Sequence, residues 1–309
     1  MLYYCKTPNG NFGDDLNLWL WPRLAPEVCD ARDPTLLVGI GTILSHKIPR
    51  QPAKVVFGAG CSQTGPRPKI DNRWKIYCVR GPRTAARLGL DPALALVDPA
   101  ILVRRWVNRS AESKFPVSFM PHQQSMPHAD WANLCARMGF HCIDPRSGVE
   151  CILQDLQRTE LLLAEAMHGA IVADALRVPW IPVRLYGRFN EFKWRDWTQS
   201  VRVPLKIAEV PPVYARPPSG WKQVDYLVKK SLARAGVGRE NWKRLGTRSS
   251  TPAEIDQSLA ALQRVSRDHA PCLSNEGLLS QLETQLMEKL AELRAGWGKF
   301  PAALPGPRS

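Results

Sequence analysis

The sequence predicts an α/β protein made of two units with parallel sheets that face a cleft, followed by a basic helical extension. Three observations carry that expectation. Short apolar runs ending in Gly, Asp, Pro or polar residues alternate with amphipathic stretches over the first two thirds of the chain, the rhythm of strand and helix in turn. The alternation breaks once, at the polar stretch Arg104–Phe115 (RRWVNRSAESKF), and then restarts. Beyond Pro204 it stops, and a proline-rich connector leads into a basic helical pattern. The expected division is therefore 1–113, 114–204 and 205–309.

In the first unit strands are expected at Leu2–Cys5, Leu36–Gly39, Lys54–Phe57, Lys75–Val79 and Ala93–Val97. The second series is Val117–Met120, His141–Ile143, Glu160–Leu163 and Trp180–Val183. Helices are expected at Asp15–Leu24, Pro82–Leu88, Asp130–Met138, Gly148–Gln157 and His168–Ala175, the second supported by Pro at its first position. Alternating strands and helices require parallel pairing through right-handed crossovers. Ligands then sit beyond the carboxyl ends of the strands, so the polar residues just after strands are the candidates for chemistry.

Composition narrows the class. The 309 residues carry 42 Lys plus Arg against 28 Asp plus Glu, a net charge of +14, with 44% hydrophobic residues and 11 Trp. That apolar content suits a folded enzyme rather than a disordered or fibrous chain. The longest clean apolar run, Leu36–Leu44, is under half of the roughly 20 residues that cross a bilayer. The N-terminus lacks a basic segment followed by an apolar one, so a cytoplasmic protein is expected. Eight cysteines show neither a CxxC pair nor zinc spacing, so free thiols and no metal site are expected. Nine Lys or Arg between Arg216 and Arg248, against Asp225 and Glu240, suggest peripheral contact with an anionic membrane surface. No recognised nucleic-acid motif accompanies the charge.

Candidate site residues follow the strands. Asn9–Asn17 (NGNFGDDLN) opens a helix, with Gly10 and Gly13 permitting close approach and Asn11, Asp14 and Asp15 as polar groups, although an acid there also caps a helix. Arg80 ends a strand before Gly81 and Pro82, where its fork suits a phosphate or carboxylate. His122 and His168 each follow a strand of the second unit, and Gly169 stands beside the latter. The segment Arg184–Trp197 mixes Arg184, Lys193 and Arg195 with aromatics including Trp197, a pattern suited to sugar stacking or to packing on the core.

In order and spacing, NFGDDLN, GIGTIL, VFGAG, VRGPRTAARLGL with Asp98-Pro99-Ala100, MPH and EAMHGAIVADALRVPWIPV resemble the polysaccharide pyruvyl transferase family. The last of these, with FKWRDW, looks most like the branch acting in bacterial exopolysaccharide assembly. The resemblance implies two Rossmann-like domains in a GT-B-like arrangement, phosphoenolpyruvate as donor and a sugar diol as acceptor, free or lipid-linked at the inner face of the membrane. It implies no nucleotide, metal or prosthetic group. Within it, His168 is expected as the general acid or else as a ligand of the donor phosphate, and Asp14 or Asp15 as the base. Arg80, His122, Gly169 and Arg184 are expected around the donor, and Asn11, Gly13, Lys193, Arg195 and Trp197 around the acceptor. Many family members carry Arg-Leu-His at the His168 turn; here Ala166 stands in the Arg position, so Arg184, Lys193 or Arg195 is expected to supply the missing cation. The rival readings are a nucleotide-sugar-dependent GT-B glycosyltransferase and a non-catalytic basic module for membrane surfaces.

Overall fold

The computed structural model describes residues 1–30, 33–110, 112–187, 189–214 and 249–297. The basic stretch Arg216–Arg248, expected to meet membranes, lies outside them.

The first four-stranded sheet runs β1 (Leu2–Tyr3), β2 (Leu36–Val38), β4 (Lys54–Phe57), β6 (Trp74–Cys78), all parallel. Between them β3 (Thr42–Leu44) and β5 (Gly60–Cys61) pair as a small parallel ribbon that the sequence reading missed. Apolar side chains of β2 and β4 are buried, which matches their unbroken Leu-Leu-Val and Val-Val-Phe runs. The strand expected at Ala93–Val97 is not formed. Pro92 and Pro99 instead open 3-10 turns at Pro92–Leu94 and Pro99–Arg105, capped by the side chains of Asp91 and Asp98, and Ala95 makes only an isolated bridge to Val79.

The second sheet is parallel in the order β8 (His141–Cys142), β7 (Phe115–Met120), β9 (Thr159–Ala164), β10 (Trp180–Arg184), β11 (Ala208–Glu209). Counted along the chain this is 2-1-3-4-5, so the winding reverses between β7 and β9. Doubly wound sheets bind ligands at that reversal, outside the carboxyl ends of the two strands. His122 follows β7 and His168 follows β9.

Helices α1 (Phe12–Leu24), α2 (Pro82–Leu88), α3 (Trp131–Met138), α4 (Val149–Gln157), α5 (Met167–Ala175) and α6 (Glu191–Ser200) cover the sheets. One apolar cluster runs from Phe12, Leu16 and Trp21 through Ile101 to Ile171 and Trp194, so the two sheets share a core over α1, α4 and α5. Five tryptophans, Trp21, Trp131, Trp180, Trp194 and Trp197, are among its fully buried side chains or those of the neighbouring cluster.

Residues 205–309, expected as an appendage, are built into the fold where they are described. Strand β11 is the edge of the second sheet, α7 (Pro252–Asp268) packs on α3, and α8 (Glu276–Gly296) packs on β6 and the 99–105 turn. The leucines at 279, 282, 286, 290 and 293 recur at three- and four-residue steps and are buried along one face of α8. Arg104 and Arg105 pair with Glu283, and Arg294 with Glu27, at the rim of that contact. No helix among the described residues is long and apolar enough to cross a membrane.

Candidate active site

A cleft of about 820 Å³ opens where the carboxyl ends of both sheets meet. The first sheet contributes the segments after β1 and β2, including Asn11, Gly13 and Asp14; the second contributes His122 after β7 and the 166–169 turn after β9. Lys193 reaches in from the first turn of α6. Seven expected residues therefore converge: Asn11, Gly13, Asp14, His122, His168, Gly169 and Lys193.

His168 sits in the first turn of α5, and its Nε2 lies 3.4 Å from Oδ2 of Asp98, a carboxylate with no exposed surface. Neither of those two atoms has a hydrogen-bond partner among the described residues, and each faces the other. Asp98 is held in turn by the Ala100 N–H at 3.0 Å. The opposite edge of the imidazole packs on Gly13: a Cβ there would fall 2.0 Å from His168 Nδ1 and 2.6 Å from Cγ. Glycine at 13 is thus required by the ring. Gly13→Ala is expected to swing His168 aside and cut turnover about 100-fold, since a displacement near 1 Å costs that much, while the circular dichroism spectrum stays native. Full activity would show that the ring's seat is not important.

Asp14 borders the same space. Burial pushes its carboxyl up, opposed by the hydrogen bond that Asn11 Nδ2 donates to Oδ2 at 2.6 Å and by the nearby His168. A raised carboxyl suits a base that must take up a proton and release it. Asp15 does not share the role: its Oδ2 accepts the Asn11 N–H at 2.9 Å, and the side chain serves the start of α1 outside the cleft.

His122 is half-buried, and desolvation followed by the neighbouring Lys193 lowers its pKa to about 3. Nδ1 accepts the Gln124 N–H at 3.2 Å, which leaves the proton on Nε2. It offers a ligand a hydrogen bond and no charge. Lys193 is likewise pushed down, to about 8, by burial and then by Arg80, while Asp14 and Glu165 act the other way. Glu165 is buried and raised to about 6; its Oε2 accepts the His122 N–H at 2.8 Å, so it faces a small adjoining hollow with Lys193 rather than the cleft itself.

Four other expected site residues are corrected. Arg80 has no exposed surface: Nε pairs with Asp196 Oδ2 at 3.0 Å and Nη1 donates to Thr42 Oγ1 at 2.9 Å, beneath β5, where a Cβ on Gly60 would strike it. A guanidinium so enclosed cannot contact a donor directly. Arg184 is paired with Glu209 on the edge strand, and Arg195 with Glu191 one turn away, both outside the cleft. Trp197 is fully buried against Trp180, with centroids 5.1 Å apart, so it packs the core instead of stacking on a sugar.

Succinoglycan biosynthesis protein ExoV of Rhizobium meliloti (strain 1021) is 41% identical over 212 residues, 68% of this chain and 67% of that protein. The chain belongs to the ExoV family. This membership supports the polysaccharide pyruvyl transferase family expected from the order of the motifs. No protein-family model and no solved structure matches the chain.

Two functional residues carried no assigned role in the sequence. Asp98 stands in a motif segment directly after the strand expected at Ala93–Val97, and that strand-end position was the available signal; the approach of α5 to the 99–105 turn reveals it as the partner of His168. Asp196 looked like one more charge in an aromatic-basic stretch; its place on the buried face of α6, three residues after Lys193, was the available signal.

Proposed function

We propose that this chain is a polysaccharide pyruvyl transferase of the exopolysaccharide branch. It moves the pyruvyl group of phosphoenolpyruvate onto a sugar diol as a cyclic ketal and releases phosphate. The observation that carries the reading is the convergence of His168, backed by Asp98, with Asp14, His122 and Lys193 on one cleft. In this reading the two sheets work as a GT-B-like pair, and the acceptor is an oligosaccharide, free or lipid-linked at the inner face of the membrane.

The steps use groups of this chain. Protonated His168 gives its proton to the methylene carbon of the enol ether, and Asp98 steadies the imidazolium that precedes transfer. The C2 carbon becomes cationic, a sugar hydroxyl adds to it, and Asp14 takes the hydroxyl proton. The C2–O bond to phosphate breaks as Asp14 passes that proton to the leaving phosphate oxygen, the second hydroxyl closes the ketal, and its proton returns to His168. Overall one donor and one diol give one ketal and one phosphate.

The donor needs cations, and Lys193 supplies the charge absent at Ala166; both line the cleft, whereas Arg184 and Arg195 are paired elsewhere. The first-turn backbone of α5 adds N–H donors suited to an anion. Lys193→Met is expected to raise the KM for phosphoenolpyruvate about 10- to 100-fold, the worth of one charged hydrogen bond. Because the ammonium is held near 8, its charge is lost as pH rises through that value, so kcat/KM for the donor should fall above pH about 8. Lys193→Arg, which keeps its charge, should remove that limb; an unchanged profile would exclude Lys193.

The reading is tested with purified protein, phosphoenolpyruvate and a set of oligosaccharides. Acceptor-dependent phosphate release and a product heavier by one pyruvyl ketal are expected. Turnover of a nucleotide sugar in their place would overturn it.

A further inference from the structure

A second hollow, of about 160 Å³, lies beside the cleft and shares Ser45 and His46 with its lining. Arg50, Lys54, Arg67, Lys69 and Arg73 wall it, and Asp71 is the one carboxylate among its lining residues. That carboxylate is already taken: Arg73 clamps it with Nη2 at 2.5 Å from Oδ2 and Nε at 3.4 Å from Oδ1. Among the described residues the other four cations, Arg50, Lys54, Arg67 and Lys69, have no acid paired with them.

Lys54 forms the floor. It is 1% exposed, on the first residue of β4, and makes no ion pair among the described residues. Its ammonium donates to the Arg50 carbonyl and lies 5.6 Å from the Trp74 ring centroid. Arg67, at the mouth, is steered by a hydrogen bond from Nη1 to the Arg87 carbonyl at 2.8 Å. Arg50 and Lys69 are exposed beside it. A concave surface lined by one sign of charge focuses its field on an anion, and guanidinium forks match phosphate oxygens.

We propose that this hollow is a subsite for a phosphate group carried by the acceptor, whose sugar lies in the adjoining cleft. The shared Ser45 and His46 make the two spaces continuous enough for one molecule to occupy both. The assignment of the phosphate to an acceptor rests on the pyruvyl-transfer reading; the anion site itself does not.

Inorganic pyrophosphate is the probe, measured by calorimetry on the full chain. Wild type should bind it with an affinity that falls as salt rises, and Arg50→Ala with Lys69→Ala should weaken it at least tenfold while phosphoenolpyruvate affinity stays within twofold. Both residues are exposed, so the double variant should fold; Lys193→Met should show the opposite pattern. Unchanged pyrophosphate affinity in the double variant, or direct competition with phosphoenolpyruvate, would overturn the subsite. A tenfold larger rise in KM for a phosphorylated acceptor than for its phosphate-free counterpart supports the acceptor as the source. Equal rises, with lost flotation on phosphatidylglycerol vesicles, would overturn that assignment in favour of lipid headgroups. Pyrophosphate binding here without phosphoenolpyruvate binding in the cleft would reject pyruvyl transfer and leave the subsite standing.

Discussion

Replacing His168 with Ala should lower kcat by about 10²–10⁴-fold, the usual contribution of a positioned acid or base, with little change in thermal stability. The side chain is near the surface of the cleft, and its Nε2 faces only Asp98. Asp98→Asn should give a smaller loss, since the amide keeps the ring in place but cannot stabilise the imidazolium. The split between kcat and stability separates the two roles. If Asp98 only packs the turn, kcat stays near the wild-type value while thermal stability falls; if it stabilises the imidazolium that donates the proton, kcat falls with little change in the donor KM. Acceptor-dependent phosphate release at saturating donor measures both, and wild-type turnover in His168→Ala would remove the proposed acid.

The largest stability effect should come from Asp196→Ala. The carboxylate pairs with Arg80, accepts the Thr84 N–H at 2.9 Å and the Thr84 hydroxyl at 2.6 Å, and has no exposed surface. Its removal leaves a guanidinium buried without a counter-charge, which costs about 3–5 kcal/mol. Arg80 follows β6 of the first sheet and Asp196 lies on α6 of the second half, so the loss falls on the joint between them. Urea unfolding measures it. A change below about 1 kcal/mol would mean that water reaches the Arg80 site and that the joint is held elsewhere. Replacing both residues with apolar ones of similar volume should recover much of the stability, because the cost of burying the pair disappears with it. The KM for phosphoenolpyruvate then tests the role expected from sequence: it should move only through Lys193, whose charge Arg80 disfavours.

Much of the second sheet was legible because its strands are apolar runs bounded by turn residues. Val117–Met120 and Trp180–Val183 lie within strands β7 and β10, and the Asp130–Met138 pattern gives α3 with Asp130 as its cap. The short ribbon of β3 and β5 was not legible, since two- and three-residue strands leave no periodicity to count. The site shows the same division. His122, His168, Asn11, Gly13 and Asp14 follow strands and were found by that rule. Arg80 follows a strand as well, yet it turns inward, because Asp196 on a distant helix offers a better environment than solvent. The basic hollow is not legible for a related reason: its cations are spread over three short segments, unlike the dense run at 216–248.

The amino-acid sequence alone determined the alternation of strands and helices, the two parallel sheets and the strand-end positions from which a ligand can be reached. Those properties are local, set by periodicity, glycine and proline. Only the tertiary structure decided which charged groups face the cleft. Lys193, Arg195 and Asp196 lie within one turn of the same helix, and one reaches the cleft, one pairs with Glu191 on the surface and one is sealed in the core. Their fates depend on which partners the packed sheets bring within a few ångströms, and burial then sets what each charge costs and whether it can be used.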